Sequence, residues 1–406
     1  MSEVNVPKLR FREFEGEWEK YIFKNIVKLQ RGSSPRPIVK YITNADDGVN
    51  WIKIGDTING TNYIDNTEQK ITKEGAKKSR KVSIGDIILS NSMSYGKPFI
   101  LNIDGYIHDG WFVIREYENY FHKAYLLQVL GSEQIQRQYK RLAAGGVVNN
   151  ISSELVNSVK INLPQKPEQQ KIANFLTSID QKIEQLTKKE KLLVAYKKGV
   201  MQKIFSQEIR FRDENGEVYG DWVERKFKNV TYNVSKKNKQ NIPFPIYSIN
   251  NKEGFVPQST QFDGVDSNDR GYDISLYKIV QEKTFAYNPA RINVGSIGYS
   301  GNLNNIIISS LYVCFKTNED INDIFLTQYL TTYSFTKDVL RNVEGGVREY
   351  LFYANFSNIK INLPPLAEQT KIANFLSSID KKIEQVNRQI EESKGFKKGL
   401  LQGMFV

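Results

Sequence analysis

The chain has 406 residues, of which 40% are hydrophobic and 12% aromatic, so a disordered chain is excluded and two or three domains can each form a core. The formal net charge of +12 at pH 7 suits a polyanionic partner such as nucleic acid, although charge alone does not identify one. Cys314 is the only cysteine, which excludes an intrachain disulfide, and no stretch approaches the roughly 20 apolar residues of a membrane span; we expect a soluble, cytoplasmic protein.

Short apolar segments separated by Gly, Asn and Asp turns follow a polar arm at the start of the chain. Segments of this kind are typical of β-strands. Strands are expected at residues 51–54, 84–90, 99–103 and 111–114. A helical pattern of leucines then runs from His122 to Ala143. The first part of the chain is therefore predicted to be a mixed α/β domain.

A long helix is predicted after this domain. Apolar residues recur every seven positions at Ile172, Ile179, Leu186, Leu193 and Val200. Further apolar residues lie four positions after members of this series, which gives the stripe of a long helix. Pro167 is tolerated in the first turn, where a missing N–H costs nothing, and Glu168 suits the positive end of the helix dipole. About 38 residues at about 1.5 Å each give a rod of roughly 57 Å.

The second part of the chain has the same order of elements. Strands are expected at residues 247–249, 278–287, 306–308 and 311–315, and a helix at residues 324–343. A second long helix begins after Pro364-Pro365. Its stripe contains Ile372, Ile379, Val386 and Leu400.

The two long helices belong to a tandem repeat. Residues 160–186 read KINLPQKPEQQKIANFLTSIDQKIEQL and residues 360–386 read KINLPPLAEQTKIANFLSSIDKKIEQV, with 20 of the 27 positions identical at an offset of 200. Between the repeated segments, only the hydrophobic pattern corresponds loosely. Drift of an old duplication would produce unequal inserts, but it would not leave the helices nearly identical. The pattern favours a shared partner for the helices and different targets for the inserts.

The repeat also predicts an architecture of the α+β class. Each helix has one apolar stripe, and the other copy is the natural partner to cover it. Because each helix follows its own insert, an antiparallel coiled coil would place the inserts at opposite ends with pseudo-twofold symmetry. The expected segments are a first domain with its arm at 1–163, a first helix at 164–206, a second domain at 207–363 and a second helix at 364–406.

The chain resembles the specificity subunits of type I restriction–modification systems. The resemblance covers the whole chain and is carried by the opening PKLRFREFEGEWE and by two copies of LPxxxEQxxIAxFLxxID around unlike inserts. It implies two target recognition domains, each reading one half of a split sequence in double-stranded DNA. It also implies two methyltransferase (modification) subunits as partners, with restriction subunits in the full complex. The cofactor S-adenosylmethionine and the methyl transfer would belong to the modification subunit, so no cofactor and no catalytic residue are expected here.

The residues of the chain agree with a non-catalytic subunit. The two histidines, His108 and His122, are read as structural, and no cysteine pair or Gly-x4-Gly-Lys-Ser/Thr loop is present to bind a metal or a nucleotide phosphate. Asn288-Pro289-Ala290-Arg291 faintly resembles the Asn-Pro-Pro-aromatic motif of adenine methyltransferases. Because Arg replaces the aromatic residue that would stack on a flipped base, this segment is predicted to be a turn after a strand.

DNA contacts are expected from polar and basic loops, because Arg, Lys, Asn and Ser side chains pair with phosphates and base edges. The candidates in the first domain are Arg31, Ser33, Ser34, Arg36, Asn91, Ser92, Ser94, Tyr95, Lys97, Asn149 and Asn150. Those in the second domain are Arg291, Asn293, Arg348 and Tyr350. For any one of these residues, a solvated loop remains an equal alternative.

The repeated helix starts are the expected docking surface for the modification subunits, because two copies of one surface suit two copies of one partner. The candidate partner-binding residues are Glu168, Gln169, Ile172, Phe175, Glu368, Gln369, Ile372 and Phe375. The alternative function is a stand-alone sequence-specific DNA-binding protein, a repressor or an architectural protein, which would need no methyltransferase partner. A self-contained enzyme and a purely structural scaffold remain weaker alternatives.

Overall fold

The computed structural model describes residues 5–57, 61–91, 96–143, 150–261, 264, 266–344 and 349–406. The chain forms two compact units, one of residues 1–190 and 386–406 and the other of residues 191–385. Each unit therefore contains one domain, the first part of the long helix that follows it and the last part of the other long helix. The expected four-segment division assigns each long helix to a segment of its own and remains a prediction. Among the described helices, none has the length and apolar character required to cross a bilayer.

The first unit has a mixed α/β domain. Its strands are β1 (Glu19–Ile22), β2 (Lys28–Arg31), β3 (Ile42–Thr43), β4 (Val49–Ile52), β5 (Tyr63–Ile64), β6 (Gln69–Ile71), β7 (Arg80–Val82), β8 (Ile87–Ser90), β9 (Pro98–Leu101), β10 (Gly105–Ile107), β11 (Trp111–Arg115) and β12 (Lys160–Leu163). Its helices are α1 (Lys73–Lys77), α2 (Lys123–Leu130), α3 (Glu133–Ala143) and α4 (Ser153–Asn157), and the long helix α5 (Lys166–Phe205) follows.

Three sheets build this domain. The strands β1 and β12 pair antiparallel and so join the beginning of the domain to its end. The other sheets have the strand orders β2-β11-β8-β9-β5 and β3-β6-β4-β10-β7. The pairs β5–β9 and β4–β10 are parallel, and the remaining pairs are antiparallel.

Strand β8 shows how the layers form. Successive side chains of a strand point to opposite faces of the sheet. Ile87 and Leu89 enter the main core, against the helices, whereas Ile88 enters a second core. That second core also contains Ile52 of β4 and Ile107 of β10, which belong to the other five-stranded sheet. The domain is therefore built of a helical layer and two sheets, with the β2-β11-β8-β9-β5 sheet in the middle.

The second unit repeats this plan. Its strands are β13 (Val223–Lys226), β14 (Thr231–Asn233), β15 (Ile246–Asn250), β16 (Gly254–Pro257), β17 (Lys278–Val280), β18 (Phe285–Tyr287), β19 (Ile297–Tyr299), β20 (Ile306–Ile308), β21 (Val313–Thr317) and β22 (Lys360–Leu363). Its helices are α6 (Gln258–Gln261), α7 (Asp323–Tyr329), α8 (Tyr333–Asn342) and α9 (Tyr353–Phe356), and the long helix α10 (Leu366–Met404) follows.

The sheets of the second domain match those of the first. The strands β13 and β22 pair antiparallel, as β1 and β12 do. The sheet β14-β21-β18-β19 corresponds to β2-β11-β8-β9, and β16-β15-β20-β17 to β6-β4-β10-β7, including one parallel pair at the same place. Two inserts with only a loose sequence correspondence therefore share one skeleton.

Each main core contains residues of both long helices. In the first unit, Ile172, Leu176 and Ile179 of α5 join the core together with Met404 of α10 and the adjoining Phe405. In the second unit, the matching stretch of α10, Ile372 to Ile379, is joined by Ile204 of α5. Burying one large apolar side chain stabilises a fold by about 1.5–3 kcal/mol, so these helix segments are integral to the domains.

Three predicted elements were wrong in extent. The helix expected at 122–143 is divided into α2 and α3, and the one at 324–343 into α7 and α8. The breaks fall at Ser132 and Thr332, whose hydroxyl oxygens accept hydrogen bonds from the backbone N–H groups of Ile135 and Phe335 and so start a new helix. The strand expected at 278–287 is likewise divided into β17 and β18, with Lys283 at a positive φ between them.

Candidate nucleic-acid interface

In the first domain, the loop after β2 converges on Asp109. The Oγ of Ser34 donates to Asp109 Oδ1 at 2.7 Å, and the guanidinium of Arg36 donates to Oδ2 at 3.1 Å. The Nε of Arg31 donates to the Asp109 carbonyl at 3.1 Å. Burial raises the pKa of Asp109, but the Ser34 hydrogen bond and the charge of Arg36 outweigh it, so the pKa is lowered. The carboxylate thus stays ionised and fixes the loop.

Asn91, the residue after β8, belongs to the same cluster. Its side chain is buried, and its Nδ2 donates to the Asp109 carbonyl at 2.7 Å. The Asn91 carbonyl accepts a hydrogen bond from Ile151 N at 2.7 Å, which attaches the segment after α3 to this loop. The structure therefore brings three predicted DNA-contacting segments together. Asn91 itself positions them, because a buried amide cannot also reach a base.

Some of the other candidates of the first domain lie among the described residues and some do not. Ser33 donates to the Lys78 carbonyl at 3.1 Å, and Asn150 is exposed. Lys97 is half-buried with its Nζ 5.0 Å from the centre of the Phe99 ring, and burial together with the charge of Lys397 lowers its pKa. Three candidates after Asn91 and the first Asn of the Asn-Asn pair lie outside the described residues: Ser92, Ser94, Tyr95 and Asn149.

His108 has a structural environment. Its Nε2 lies 3.2 Å from Ile54 N and its Nδ1 lies 2.6 Å from Gly110 N, and both are backbone N–H groups. A neutral imidazole can accept at one nitrogen only, and a protonated ring can accept at neither. Burial lowers the pKa of His108, which nearby Asp109 and Asp56 only partly offset. The ring is therefore held neutral between strands and is not free to act as an acid.

The second domain places its candidates at the matching loop after β18. Asn288 Oδ1 accepts from Ala290 N at 3.0 Å and the Asn288 carbonyl accepts from Arg291 N at 3.0 Å, so the Asn-Pro-Ala-Arg segment is a turn, as predicted. Leu351 N donates to the Pro289 carbonyl at 3.0 Å, as Ile151 N does to Asn91 in the first domain. Arg291 and Tyr350 therefore belong to one loop cluster.

The remaining candidates of this cluster differ in exposure. Arg291 is exposed, and Asn293 and Tyr350 are half-buried. Arg348 lies outside the described residues.

The repeated Glu-Gln pairs, which were predicted to bind a partner, face inwards. Glu168 is 2% exposed and accepts two hydrogen bonds of 2.7 Å from Arg10. Glu368 is fully buried and accepts bonds of 2.9 and 2.8 Å from Arg210. A buried carboxylate requires such a partner. The segments Arg10-Phe11-Arg12 and Arg210-Phe211-Arg212, which also repeat at the offset of 200, thus hold the starts of α5 and α10 to their domains.

The neighbouring Gln residues hold the domains in the same way. Gln169 Oε1 accepts from His122 N, and its Nε2 donates to the carbonyls of Tyr120 and Pro164. Gln369 makes the same three bonds, to Asn322 N and to the carbonyls of Asp320 and Pro364. Ile172 and Ile372 are core residues, whereas Phe175 and Phe375 stay partly exposed against Phe11 and Phe211. Six of the eight predicted partner-binding side chains are therefore buried within the chain, and their role in partner binding stays a prediction.

A second polar network is repeated between the long helices. In the first unit, Asp180 of α5 accepts from Gln128 Nε2 at 2.8 Å and from Lys397 Nζ of α10 at 2.6 Å. In the second unit, Asp380 of α10 accepts from Gln328 at 2.9 Å and from Lys197 of α5 at 2.6 Å. Each network joins a domain, its own long helix and the other one. The segments Lys197-Lys198-Gly199 and Lys397-Lys398-Gly399 also repeat at the offset of 200, but the partners of their lysines could not be read from spacing.

Within the described ranges, no group of three His, Cys, Asp or Glu side chains is arranged to bind a metal ion. The loop clusters offer exposed guanidinium groups, amides and an aromatic ring on rigid strand ends. Such groups bind phosphates and base edges.

Comparisons with known proteins agree with this geometry. The sequence model of the family described as "Type I restriction modification DNA specificity domain" matches residues 15–194 and 220–393. The provisionally named type I restriction enzyme MjaX specificity subunit of Methanocaldococcus jannaschii is 27% identical, covering 98% of this chain and 95% of that protein. The MjaIX specificity subunit of the same organism is 23% identical, covering 95% and 92%.

Solved structures show the same fold. The S subunit of a type I restriction–modification system from M. genitalium superposes with a TM-score of 0.60 at 16% identity, covering 99% of both chains. A chain from a structure concerned with complex assembly and conformational transition of the type I system gives a TM-score of 0.54 at 16% identity, covering 95% of this chain and 96% of that one. Because the two domain matches together span most of the sequence, this chain belongs to the family of type I restriction–modification specificity subunits.

Proposed function

We propose that this protein is the DNA-recognition subunit of a type I restriction–modification complex and reads a two-part target, one half with each domain. The observation that carries the proposal is the pair of loop clusters. Both domains attach the loop after the equivalent strands β8 and β18 to the segment that follows α3 or α8, by one backbone hydrogen bond. The side chains at these equivalent places differ between the domains. A common skeleton with different loops is what two readers of different half-sites require.

The proposed mechanism is binding without catalysis. Exposed Arg31, Arg36 and Arg291 would contact phosphates or guanine edges, while Asp109 and Asn91 hold the first loop in shape. The modification subunits would supply the methyl transfer, and restriction subunits the cleavage. The stand-alone repressor is disfavoured, because the family match includes the repeated helices as well as the domains.

The long helices are proposed to pair as an antiparallel coiled coil. Support comes from the two Asp–Lys contacts, Asp180–Lys397 and Asp380–Lys197. In α5, Asp180 precedes Lys197. In α10, the order of their partners is reversed, because Lys397 follows Asp380. Opposite directions of travel characterise an antiparallel pair. At 40 residues and about 1.5 Å per residue, α5 spans about 60 Å.

Two modification subunits are proposed to dock on the exposed faces of these helices. Tyr196 of α5 is 55% exposed and Phe396 of α10 is 57% exposed. The two residues lie at equivalent places in the repeat, at the offset of 200. Exposed aromatic residues are typical anchors of protein interfaces, and two equivalent anchors suit two copies of one partner.

An exchange of one domain tests the proposed function. Residues 20–155 are replaced by the corresponding domain of another specificity subunit, and the host's methylated sites are mapped by sequencing. We expect one half of a bipartite methylated motif to change while the other half stays the same, because each domain reads one half. The matched control exchanges residues 222–355 and should change the other half. If either exchange changes both halves, or neither half, the two-reader proposal fails.

A further inference from the structure

Tyr350 and Phe352 form a partly exposed aromatic pair in the second domain. Their rings are parallel, with 5° between the planes and 5.7 Å between the centroids. Phe352 is 52% exposed, whereas Leu351 between them is fully buried. The buried leucine anchors the segment, and the two aromatic side chains on either side of it stack outside the core. We call Tyr350 and Phe352 the aromatic platform.

The first domain shows that the fold does not need this platform. The equivalent segment there is Asn150-Ile151-Ser152, in which Ile151 is buried as Leu351 is. Ser152 accepts a hydrogen bond from Leu155 N at 3.2 Å and so caps α4. Phe352 stands at the same cap position before α9 and makes no side-chain capping bond. The second domain thus lacks this capping bond and exposes a large apolar ring. Neither difference stabilises the folded chain.

The platform lies in the loop cluster proposed to read DNA. The Leu351 backbone is hydrogen-bonded to Pro289, two residues before Arg291 in the same turn. The guanidinium of Arg291 is exposed and makes no ion pair or side-chain hydrogen bond to the part of the chain that the structure describes. A stacked ring pair and a cationic side chain are therefore carried by one hydrogen-bonded loop cluster. Aromatic faces stack on nucleobases whatever the base, and cationic groups bind the adjacent phosphates.

We infer that the aromatic platform stacks on a base of the second half-site that is unstacked from the duplex, and that the first half-site has no such contact. This inference rests on the proposed function. A duplex can be opened by apolar side chains inserted at a base step, which adds affinity where the step opens easily. A docking site for a modification subunit is disfavoured, because two copies of one partner require equivalent surfaces and the first domain has Asn150 and Ser152 in place of the two rings.

The test replaces the platform by the residues of the first domain. The double variant Tyr350→Asn, Phe352→Ser is purified in complex with the modification subunit, alongside the unaltered complex. The probe is a duplex that contains the host's methylated motif, as identified by sequencing. We expect the double variant to bind this duplex about tenfold to hundredfold more weakly, the range for loss of one base–aromatic stack. Thermal unfolding should be unchanged or slightly shifted upwards, because the Phe352→Ser substitution supplies a hydroxyl that can cap α9.

A scan with abasic sites identifies the stacked base. Each position of the second half-site is replaced in turn by an abasic nucleotide. The unaltered complex should lose affinity strongly at one position, and the double variant should show no further loss at that position. Abasic sites in the first half-site should weaken both complexes equally. An equal response of both complexes at every position would overturn the inference.

Three further results separate the possible failures. Tyr333→Ser removes another exposed aromatic residue of this domain, 82% exposed at the start of α8, and should leave DNA affinity unchanged. An equal loss in that variant would overturn the inference, because any exposed ring would then matter. Loss of a modification subunit from the double variant, measured by light scattering, would overturn it in favour of a protein contact. If the unaltered complex does not prefer its motif over a scrambled duplex, the proposed function itself fails.

Discussion

At the scale of single residues, His108 links the stability of the first domain to pH. Its pKa is lowered in the folded state by burial, so the unfolded chain binds more protons between the folded pKa and the ordinary value of about 6.5. The stabilisation is therefore complete above about pH 6.5 and is lost as the pH falls through the folded pKa. Protonation also places ring N–H groups against Ile54 N–H and Gly110 N–H.

The variant His108→Gln tests this coupling. Glutamine retains an acceptor for one backbone N–H but does not titrate. We expect the unaltered chain to be the more stable at pH 8 and its advantage to shrink towards pH 5. Chemical unfolding across this pH range measures the difference. Stability curves that stay parallel from pH 8 to pH 5 would show that His108 does not titrate on unfolding.

The buried Glu residues predict unequal effects in the two halves. Removing one partner of a buried ion pair costs about 3–5 kcal/mol, because a charge is left without compensation. Arg10→Leu leaves Glu168 as a buried charge without a compensating partner. Arg210→Leu leaves Glu368 with bonds of 3.1 Å from Trp222 Nε1 and 3.3 Å from Phe211 N, whereas the Nε1 of Trp18 has no partner among the described residues.

We therefore expect Arg10→Leu to lower the unfolding temperature more than Arg210→Leu does. Calorimetry of the full chain measures both, with Lys in place of each Arg as the charge-preserving control. A larger effect of Arg210→Leu would contradict the assignment of the extra bonds.

At this scale the sequence predicted loops better than it predicted contacts. The polar loops around Arg31, Asn91 and Arg291 were identified from residue type and from their position after strands. Asp109 was missed, although it holds the first cluster together, because it is more than 70 residues from Arg31 and Ser34. Nothing in local spacing reveals such a contact. The inward direction of Glu168 was missed for the same reason, since its partner Arg10 lies in the arm before the first strand.

At the scale of elements, periodicity predicted the long helices closely. The expected start near Pro167 is one residue from the observed start of α5. The shorter helices were joined in error, because the apolar pattern of Leu126, Leu127 and Leu130 continues across Gly131 to Ile135 and the capping role of Ser132 was not weighed. Seven-residue spacing over four heptads is a strong signal, whereas one Ser or Thr at a helix start is easily overlooked.

The exposed aromatic residues of the long helices give a prediction about assembly. Tyr196→Ser and Phe396→Ser should each reduce binding of one modification subunit, and the double variant should bind neither. Truncating an interface anchor typically costs about 2 kcal/mol or more, which corresponds to roughly a thirtyfold loss of affinity. The mass of the complex by light scattering measures this. Leu311→Ser, at a residue 73% exposed outside the long helices, is the control and should bind two.

At the scale of the whole molecule, the duplication was visible because the helices and their anchors are repeated at one offset. The common skeleton of the two domains was not visible. A core tolerates many simultaneous substitutions when its total volume and its apolar pattern are kept, so Ile87 and Leu89 can correspond to Phe285 and Tyr287 without any sequence identity. Loop residues carry no packing constraint of this kind and differ freely, as two readers of different half-sites require.

The proposed antiparallel pair acts as a ruler between the half-sites, and its length can be changed without disturbing either domain. One four-residue turn inserted after Lys189 and another after Gln389 lengthen both helices by about 6 Å. Both insertions are needed, because a change in one helix alone would break the register of Asp180 with Lys397 and of Asp380 with Lys197. DNA rises about 3.4 Å per base pair. The preferred gap should therefore lengthen by roughly one or two base pairs while both half-sites stay the same.

Methylation of duplexes whose gaps differ by one base pair at a time measures the preferred length. The control carries four substitutions to Ala at exposed positions near Lys189 and no insertion, and it should keep the original gap. An active double-insertion variant with an unchanged optimum would mean that the helices do not set the spacing. A shifted optimum with both half-sites unchanged would show that only the distance between the two reading domains had changed. The repeat, the Asp–Lys contacts and the two loop clusters would then belong to one mechanism.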